Sequence, residues 1–312
     1  MIRVIFLGTA ASRPTVGRNV SAVLVNREGE LLLFDCGEGT QRQMMRYQTG
    51  FTIGDIFFSH MHADHYLGVI GLLRTMGLQG REEPIRLWGP EGSRPILHDA
   101  VHLGVERVPF AIEIIELAPG AAVAREGYDI VPFATRHGGP SLGYALVEHT
   151  RLGRFHPERA RELGVPEGPL FGRLHRGETI EVDGRVVRPE DVVGAPRPGR
   201  RVVYTGDTRP CAGTVEAARG ADLLIHDATF AEAEADRARE TLHSTAREAA
   251  ETAREARVLR LVLTHLSSRY AEDPRPLERE ARRVFRKTTV AHDGMEIEVP
   301  YRTDDDNEEG KP

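Results

Sequence analysis

Four short apolar runs in this chain each end on a side chain able to bind a metal. They are Ile56-Phe57-Phe58-Ser59-His60, Val131-Pro132-Phe133-Ala134-Thr135-Arg136-His137, Val202-Val203-Tyr204-Thr205-Gly206-Asp207 and Leu261-Val262-Leu263-Thr264-His265. Continuous β-rich runs bounded by polar turns predict strands buried on both faces. Open α/β sheets place ligands just past the carboxyl ends of such strands. Further strands are predicted at 3–7, 22–26, 31–35, 85–88, 112–116 and 222–226. Helices are predicted at 40–47, 67–78, 94–103, 231–240, 244–257 and 276–286, with Ser244 as the N-cap of the fifth. The strand and helix alternation recurs in the second half. This predicts an α/β chain of two halves, each a sheet covered by helices on its outer face.

One segment departs from the pattern. From about 151 to 200, apolar residues are sparse while Gly, Pro and Arg are dense. His156-Pro157 opens a short helix that Gly164 ends. Residues 178–187 read as a β-hairpin turning on Asp183-Gly184, and Gly168-Pro169 lies between the two. The segment is expected to be a small arm with local structure of its own.

Composition narrows the class. The chain has 312 residues, 40% of them apolar and 28% charged, which fits one large soluble α/β domain or two modest ones. No stretch approaches the ~18 apolar residues of a membrane helix, and the start is too short for a signal peptide. Cys36 and Cys211 cannot make a disulfide framework and fit a reducing compartment, so a cytoplasmic protein with no membrane partner is expected. The net charge of −6 argues against nucleic acid only on average. Residues 303–312 hold five acids and one Lys and are expected to be a disordered tail beyond a domain at 1–302. Residues 151–201 hold 11 Arg against 8 acids, so a local basic surface survives the average.

His60-Met61-His62-Ala63-Asp64-His65 follows directly on a predicted strand. Its imidazoles and carboxylate are donors suited to zinc. His60 and His62 can reach one ion, Asp64 and His65 a second. With His137, Asp207 and His265 there are seven candidate ligands. Seven exceed the needs of one tetrahedral zinc and suit two metals about 4 Å apart, with one carboxylate bridging. Asp35 is either an acceptor for a ligand histidine's second ring N–H or a simple strand-end turn acid.

The His-x-His-x-Asp-His cluster with His, Asp and His downstream resembles the metallo-β-lactamase fold. The whole chain is similar to the ribonuclease Z family of tRNA 3′-processing endonucleases. The matching stretches are Phe6-Leu7-Gly8-Thr9, Leu33 through Gln41, Ser59 through Gly68, Tyr204 through Arg209, His226 through Phe230, His243-Ser244-Thr245 and Leu263-Thr264-His265.

The resemblance implies an αββα sandwich of two mixed β-sheets flanked by helices, with a protruding basic arm. It implies that His60, His62 and His137 hold one Zn2+ and Asp64, His65 and His265 another, with Asp207 bridging. Asp64 would also accept the proton of the attacking water. His243 would assist the leaving ribose 3′-oxygen, supported by Asp227 of His226-Asp227-Ala228-Thr229, where the family usually has Glu. Asp is one methylene shorter, so the backbone must compensate if it is to touch His243.

The arm, through Gly168 and Pro169 and the neighbouring Arg173 and Arg176, would grip precursor tRNA. In a homodimer one subunit's arm would serve the other's site. The loop Pro14-Thr15-Val16-Gly17-Arg18-Asn19 resembles the family's Pro-x-Lys-x-Arg-Asn loop, with Val16 in place of Lys and with Arg18 and Asn19 as RNA contacts. The activity implied is removal of the 3′ trailer, leaving a 3′-hydroxyl on the tRNA and a 5′-phosphate on the trailer. A hydrolase of a small phosphodiester or thioester is the alternative, but it has no need of a basic arm. A degenerate copy would have lost ligands.

Overall fold

In the central strands apolar residues occupy successive positions instead of alternate ones, because both faces of each sheet are covered. In β1 (Ile2–Gly8), Ile2, Val4 and Phe6 face a second sheet while Ile5 and Leu7 face helices. This period-2 division holds strand after strand.

The computed structural model describes residues 1–105 and 107–302, so the acidic tail expected at 303–312 lies outside the described residues. After β1 come β2 (Ala22–Arg27), β3 (Glu30–Phe34), β4 (Asp55–Phe57), β5 (Ile85–Pro90), β6 (Ile112–Leu117), β7 (Val123–Arg125), β8 (Tyr128–Ala134) and β9 (Leu142–Glu148). A hairpin of β10 (Ile180–Val182) and β11 (Arg185–Val187) follows. The chain continues through β12 (Arg201–Tyr204), β13 (Leu223–Asp227), β14 (Leu261–Thr264), β15 (Thr288–Val290) and β16 (Glu296–Val299). Two mixed seven-stranded sheets result, in the orders β16-β1-β2-β3-β4-β5-β6 and β15-β14-β13-β12-β9-β8-β7. Strands β7, β9, β15 and β16 were not expected. The last is legible in hindsight as the alternation Glu296-Ile297-Glu298-Val299, whose apolar members enter the core.

The first sheet carries α1 (Thr40–Arg46), α2 (Ala63–Tyr66), α3 (Gly68–Leu78) and α4 (Ser93–Val101) among its connections. Residues 148–199 carry α5 (Pro157–Glu162), α6 (Pro169–His175) and α7 (Pro189–Val192). The second sheet has α8 (Ala212–Ala217), α9 (Ala235–Glu240), α10 (Ala246–Glu255) and α11 (Arg275–Val284). Three cores make the layers explicit. One lies between the sheets, around Phe34, Phe57, Tyr144 and Tyr204. Another joins the first sheet to α1, α3 and α4 through Met44, Leu72, Met76 and Leu97. The third joins the second sheet to α10 and α11 through Ala249, Ala250, Ala253 and Leu277. The result is the expected αββα sandwich, and no helix among the described residues is long and apolar enough to cross a membrane.

Two helix expectations change. The region 231–240 is a 3₁₀ turn (Glu232–Glu234) followed by α9. The N-cap of α10 is Thr245, not Ser244. Glu248 lies three residues beyond Thr245 and closes a capping box, its backbone N–H donating to Thr245 Oγ1 at 3.2 Å and its carboxylate accepting from Thr245 N–H at 2.9 Å. Ser244 Oγ instead donates to the Thr208 carbonyl.

Residues Glu148–Gly199 form a second compact unit. Its core gathers Ala160, Val165, Leu174, Ile180, Val187 and Val192. The predicted hairpin turns on Asp183 (φ 49°) and Gly184 (φ 75°), the positive pair that a tight type I′ turn requires. Gly168-Pro169 opens α6, with Pro at the first helical position. Since β9 and β12 are antiparallel neighbours with Arg201 opposite Val147, the unit is an insertion into a β-hairpin.

Candidate metal centre and active site

The site is built where strands stop and the backbone reverses hand. Asp35 past β3 (φ 57°), Gly206 past β12 (φ 59°) and His265 past β14 (φ 58°) are all left-handed. For Asp35 and His265 this costs of order 1 kcal/mol or more each, strain typical of functional sites. Gly206 is required on a second count, since a Cβ there would lie 2.4 Å from Ser59 Cβ. Past β4, His60 and His62 lie in an extended link, and α2 delivers Asp64 and His65.

The seven expected ligands converge. His60, His62, His137 and Asp207 form one group and Asp64, His65 and His265 another, the donor atoms of each within 4.8 Å of one another. His62 Nδ1 lies 2.9 Å from His60 Nε2 and 3.1 Å from His137 Nε2. Asp207 Oδ2 lies 3.7 Å and 3.8 Å from His60 and His137 Nε2, and 3.3 Å from His65 Nε2. Its Oδ1 is 3.3 Å from His265 Nε2. Asp207 therefore faces both groups. Asp64 Oδ2 is 3.5 Å from His65 and 3.4 Å from His265.

Four histidines are anchored from behind. His65 Nδ1–H donates to Asp35 at 2.8 Å and His137 Nδ1–H to the Leu242 carbonyl at 2.9 Å. Ser59 Oγ donates to Asp35, which leaves its oxygen to accept from His60 Nδ1 at 3.0 Å. Thr229 Oγ1 donates to Asp227 and so accepts from His265 Nδ1 at 2.9 Å. Each anchor fixes the tautomer, turning Nε2 toward the shared space as metal ligation requires. Asp35 is thus an anchoring acceptor and also takes hydrogen bonds from Ser59 N–H and Tyr204 Oη.

The electrostatics describe a place for cations. Burial penalises the Asp207 carboxylate, but His265 and His65 outweigh it and hold the acid well below its usual range. Asp64 is likewise lowered against its burial by His265 and His65. Burial lowers His60 and His137 toward the neutral form that ligates. His65 runs the other way, raised against burial by Asp207 and Asp35. His65 Nε2 and Asp207 Oδ1 are buried without a hydrogen-bond partner. Orphaned polar atoms cost of order 1–3 kcal/mol each, and here they point into the ligand cluster, as an imidazole and carboxylate donor set for a metal would.

Beside this cluster, Asp227 reaches His243 in spite of its shorter side chain. Oδ2 lies 2.9 Å from His243 Nδ1, because Asp227 is the last residue of β13 and is held by Thr208 N–H and Thr229. Burial opposes a charge on His243, but Asp227 overrides it and raises the imidazole to about 9. Arg209 secures the turn from behind, donating to the His243 carbonyl and to Glu248, each at 2.7 Å.

The expected RNA-contacting residues are placed differently. Arg18 is buried, its guanidinium donating to Thr9 Oγ1 at 2.8 Å and the Ala291 carbonyl at 2.7 Å, so it braces the loop from within. Asn19 is half-buried, its backbone N–H bonded to Asp293 at 2.6 Å. Within the 148–199 unit Gly168, Pro169, Arg173 and Arg176 are exposed, the two arginines sharing Glu178. Sequence reading missed Ser59, Tyr204, Thr229 and the Leu242 carbonyl, none of which has a ligand-type signature. Ser12 N–H, which donates to Asp64 Oδ2 at 2.7 Å, was equally invisible.

Comparison with known proteins agrees with this geometry. The metallo-beta-lactamase superfamily model matches residues 15–95, and a beta-lactamase superfamily domain matches 184–266. Ribonuclease Z of Gemmatimonas aurantiaca is 61% identical over 297 residues, 94% of this chain and 95% of its own. Ribonuclease Z of Myxococcus xanthus is 57% identical over 304 residues, 97% of this chain and 99% of its own. The crystal structure of human tRNase Z, short form, aligns with a TM-score of 0.70 at 31% identity, covering 96% of this chain and 99% of that one. With full-length identity above half and a metal-ligand cluster at the strand ends, the chain belongs to the ribonuclease Z family, metal-dependent endoribonucleases of tRNA 3′ processing on the metallo-β-lactamase fold.

Proposed function

We propose that the chain holds two zinc ions and removes the 3′ trailer of precursor tRNA, leaving a 3′-hydroxyl on the tRNA and a 5′-phosphate on the trailer, as a cytoplasmic homodimer. The observation that carries this reading is Asp207, whose carboxylate lies within 3.8 Å of His60 and His137 on one side and of His65 and His265 on the other. His60, His62 and His137 would hold one ion, Asp64, His65 and His265 the other, and Asp207 both. When bound, such ions supply Lewis acidity, which activates water and offsets charge on phosphoryl oxygens.

The chain's own groups complete the chemistry. Asp64 stays ionised and is fixed by Ser12 N–H, so it can take the proton of the attacking water. Asp227 engages Nδ1 of His243, which leaves Nε2 to deliver a proton to the departing ribose 3′-oxygen. The 148–199 unit, with exposed Arg173 and Arg176 beside the Gly168-Pro169 helix start, supports a grip on tRNA phosphates without reading sequence.

The test is metal analysis of the purified protein together with end-mapping of its products on a 3′-extended tRNA. Two zinc equivalents per chain, loss of cleavage on chelation, and a 3′-hydroxyl with a 5′-phosphorylated trailer are expected. One equivalent at full activity, or a cyclic-phosphate product, would overturn the proposal.

A further inference from the structure

An open cavity of about 420 Å³ adjoins the site on its His243 side, lined in part by Arg13, Phe230, Arg237, His243, Ser267 and Arg269. Three guanidinium groups line it and no carboxylate does. None of His60, His62, His137 or Asp207 reaches it, so it is a compartment beside the metal ligands and not the ligand cluster itself.

Its charges are weakly countered. Arg13 and Arg237 are exposed, and neither forms an ion pair with a carboxylate among the described residues. Among the described residues the Arg13 guanidinium donates only to Ser268 Oγ, at 3.3 Å. Arg237 sits 5.8 Å from the centroid of the Phe230 ring, a cation–π contact that steadies it without cancelling its charge. Arg269 is shared with Glu234 at 3.6 Å. Guanidinium groups converging in a concave space whose lining holds no carboxylate concentrate anions, and their planar fork suits phosphate oxygens.

The direction of the RNA follows from His243, and this step rests on the function proposed above. A residue that protonates the leaving ribose 3′-oxygen has that ribose on its own side. The nucleotide carrying it is the last one of the product tRNA, and the next phosphate along the strand is the one on its 5′ side. We infer that the cavity binds this phosphate, the linkage entering the last nucleotide of the mature tRNA body, with Arg13 and Arg237 as its substrate-binding residues.

The test pairs protein and substrate changes. Precursor tRNAs carry a single neutral methylphosphonate, either at the linkage 5′ of that last nucleotide or at the first linkage within the trailer. Each is cleaved by the parent enzyme and by Arg237→Gln and Arg13→Gln, with melting curves confirming that the variants fold. The neutral 5′ linkage and Arg237→Gln should each lower kcat/KM about tenfold, and together no further than either alone. The Kd of the product tRNA should show the same coupling. Effects that multiply at the 5′ linkage, or coupling confined to the trailer linkage, would overturn the inference. Absence of any cleavage of the parent substrate would instead count against the proposed function.

Discussion

The two compact units use their polar groups in opposite ways. In the sandwich, Asp35, His65, Asp207 and Asp227 are buried beneath or within the site. In residues 148–199 the core cluster is apolar, and the ion pairs Arg161–Glu158, Arg161–Glu167 and Arg173–Glu178 stand on the surface. A buried carboxylate or imidazole meets a low dielectric, so each contact is strong and geometry-dependent. An exposed pair is screened by water and salt and is worth little. The difference teaches where precision lies. Bond-breaking needs fixed, desolvated donors, whereas the grip on RNA proposed for residues 148–199 would need only positive charge in roughly the right place.

That contrast can be broken experimentally, and the largest effect should come from the sandwich. Asp207→Ala removes the carboxylate common to both ligand groups. It should lower pre-tRNA cleavage by ~10³-fold or more, about 4 kcal/mol, with metal content falling in parallel. Full metal content with cleavage intact would refute the shared role.

Excising the insertion comes next. Because Val147 and Arg201 are hairpin neighbours, residues 149–199 can be replaced by an Asn-Gly turn. Cleavage of pre-tRNA should fall by ~100-fold, while hydrolysis of bis(p-nitrophenyl) phosphate changes less than about threefold. An equal fall on both substrates would end the division of labour.

Asp35→Asn leaves the ligands in place but weakens the anchor behind His65. Metal affinity, followed by competition with a chromophoric chelator, should drop by ~10–100-fold. The smallest effect belongs to the surface. Arg173→Ala with Arg176→Ala should weaken tRNA binding only a few-fold and reduce the salt dependence by about one unit of slope per lost phosphate contact. A loss as large as that of the whole insertion would make these two arginines as critical as a buried ligand.

Residues whose role depends on neighbours in sequence were legible in advance. His60, His62, Asp64 and His65 occupy one short segment after a strand, and the Asp183-Gly184 hairpin is a local turn preference. Strand ends also announced His137, Asp207 and His265, because apolar runs terminating in donors are visible in one dimension. Arg18 shows the converse. An arginine in a polar loop reads as surface because the type is rarely buried. Here the Thr9 hydroxyl and the Ala291 carbonyl, the latter 273 residues away, capture it.

The order of residues alone determined two sheet-and-helix halves, the donor set and the existence of a locally folded, arginine-rich insertion, since periodicity, donor chemistry and turn preference are properties of short windows; the αββα sandwich came from the resemblance to a known family. Tertiary structure alone decided which ring nitrogen each histidine offers, that Asp227 reaches His243, that Ser12 clasps Asp64, and that Arg13 and Arg237 share a cavity. Those outcomes depend on chain segments far apart in sequence being packed to within a hydrogen bond of each other, and no local pattern encodes that distance.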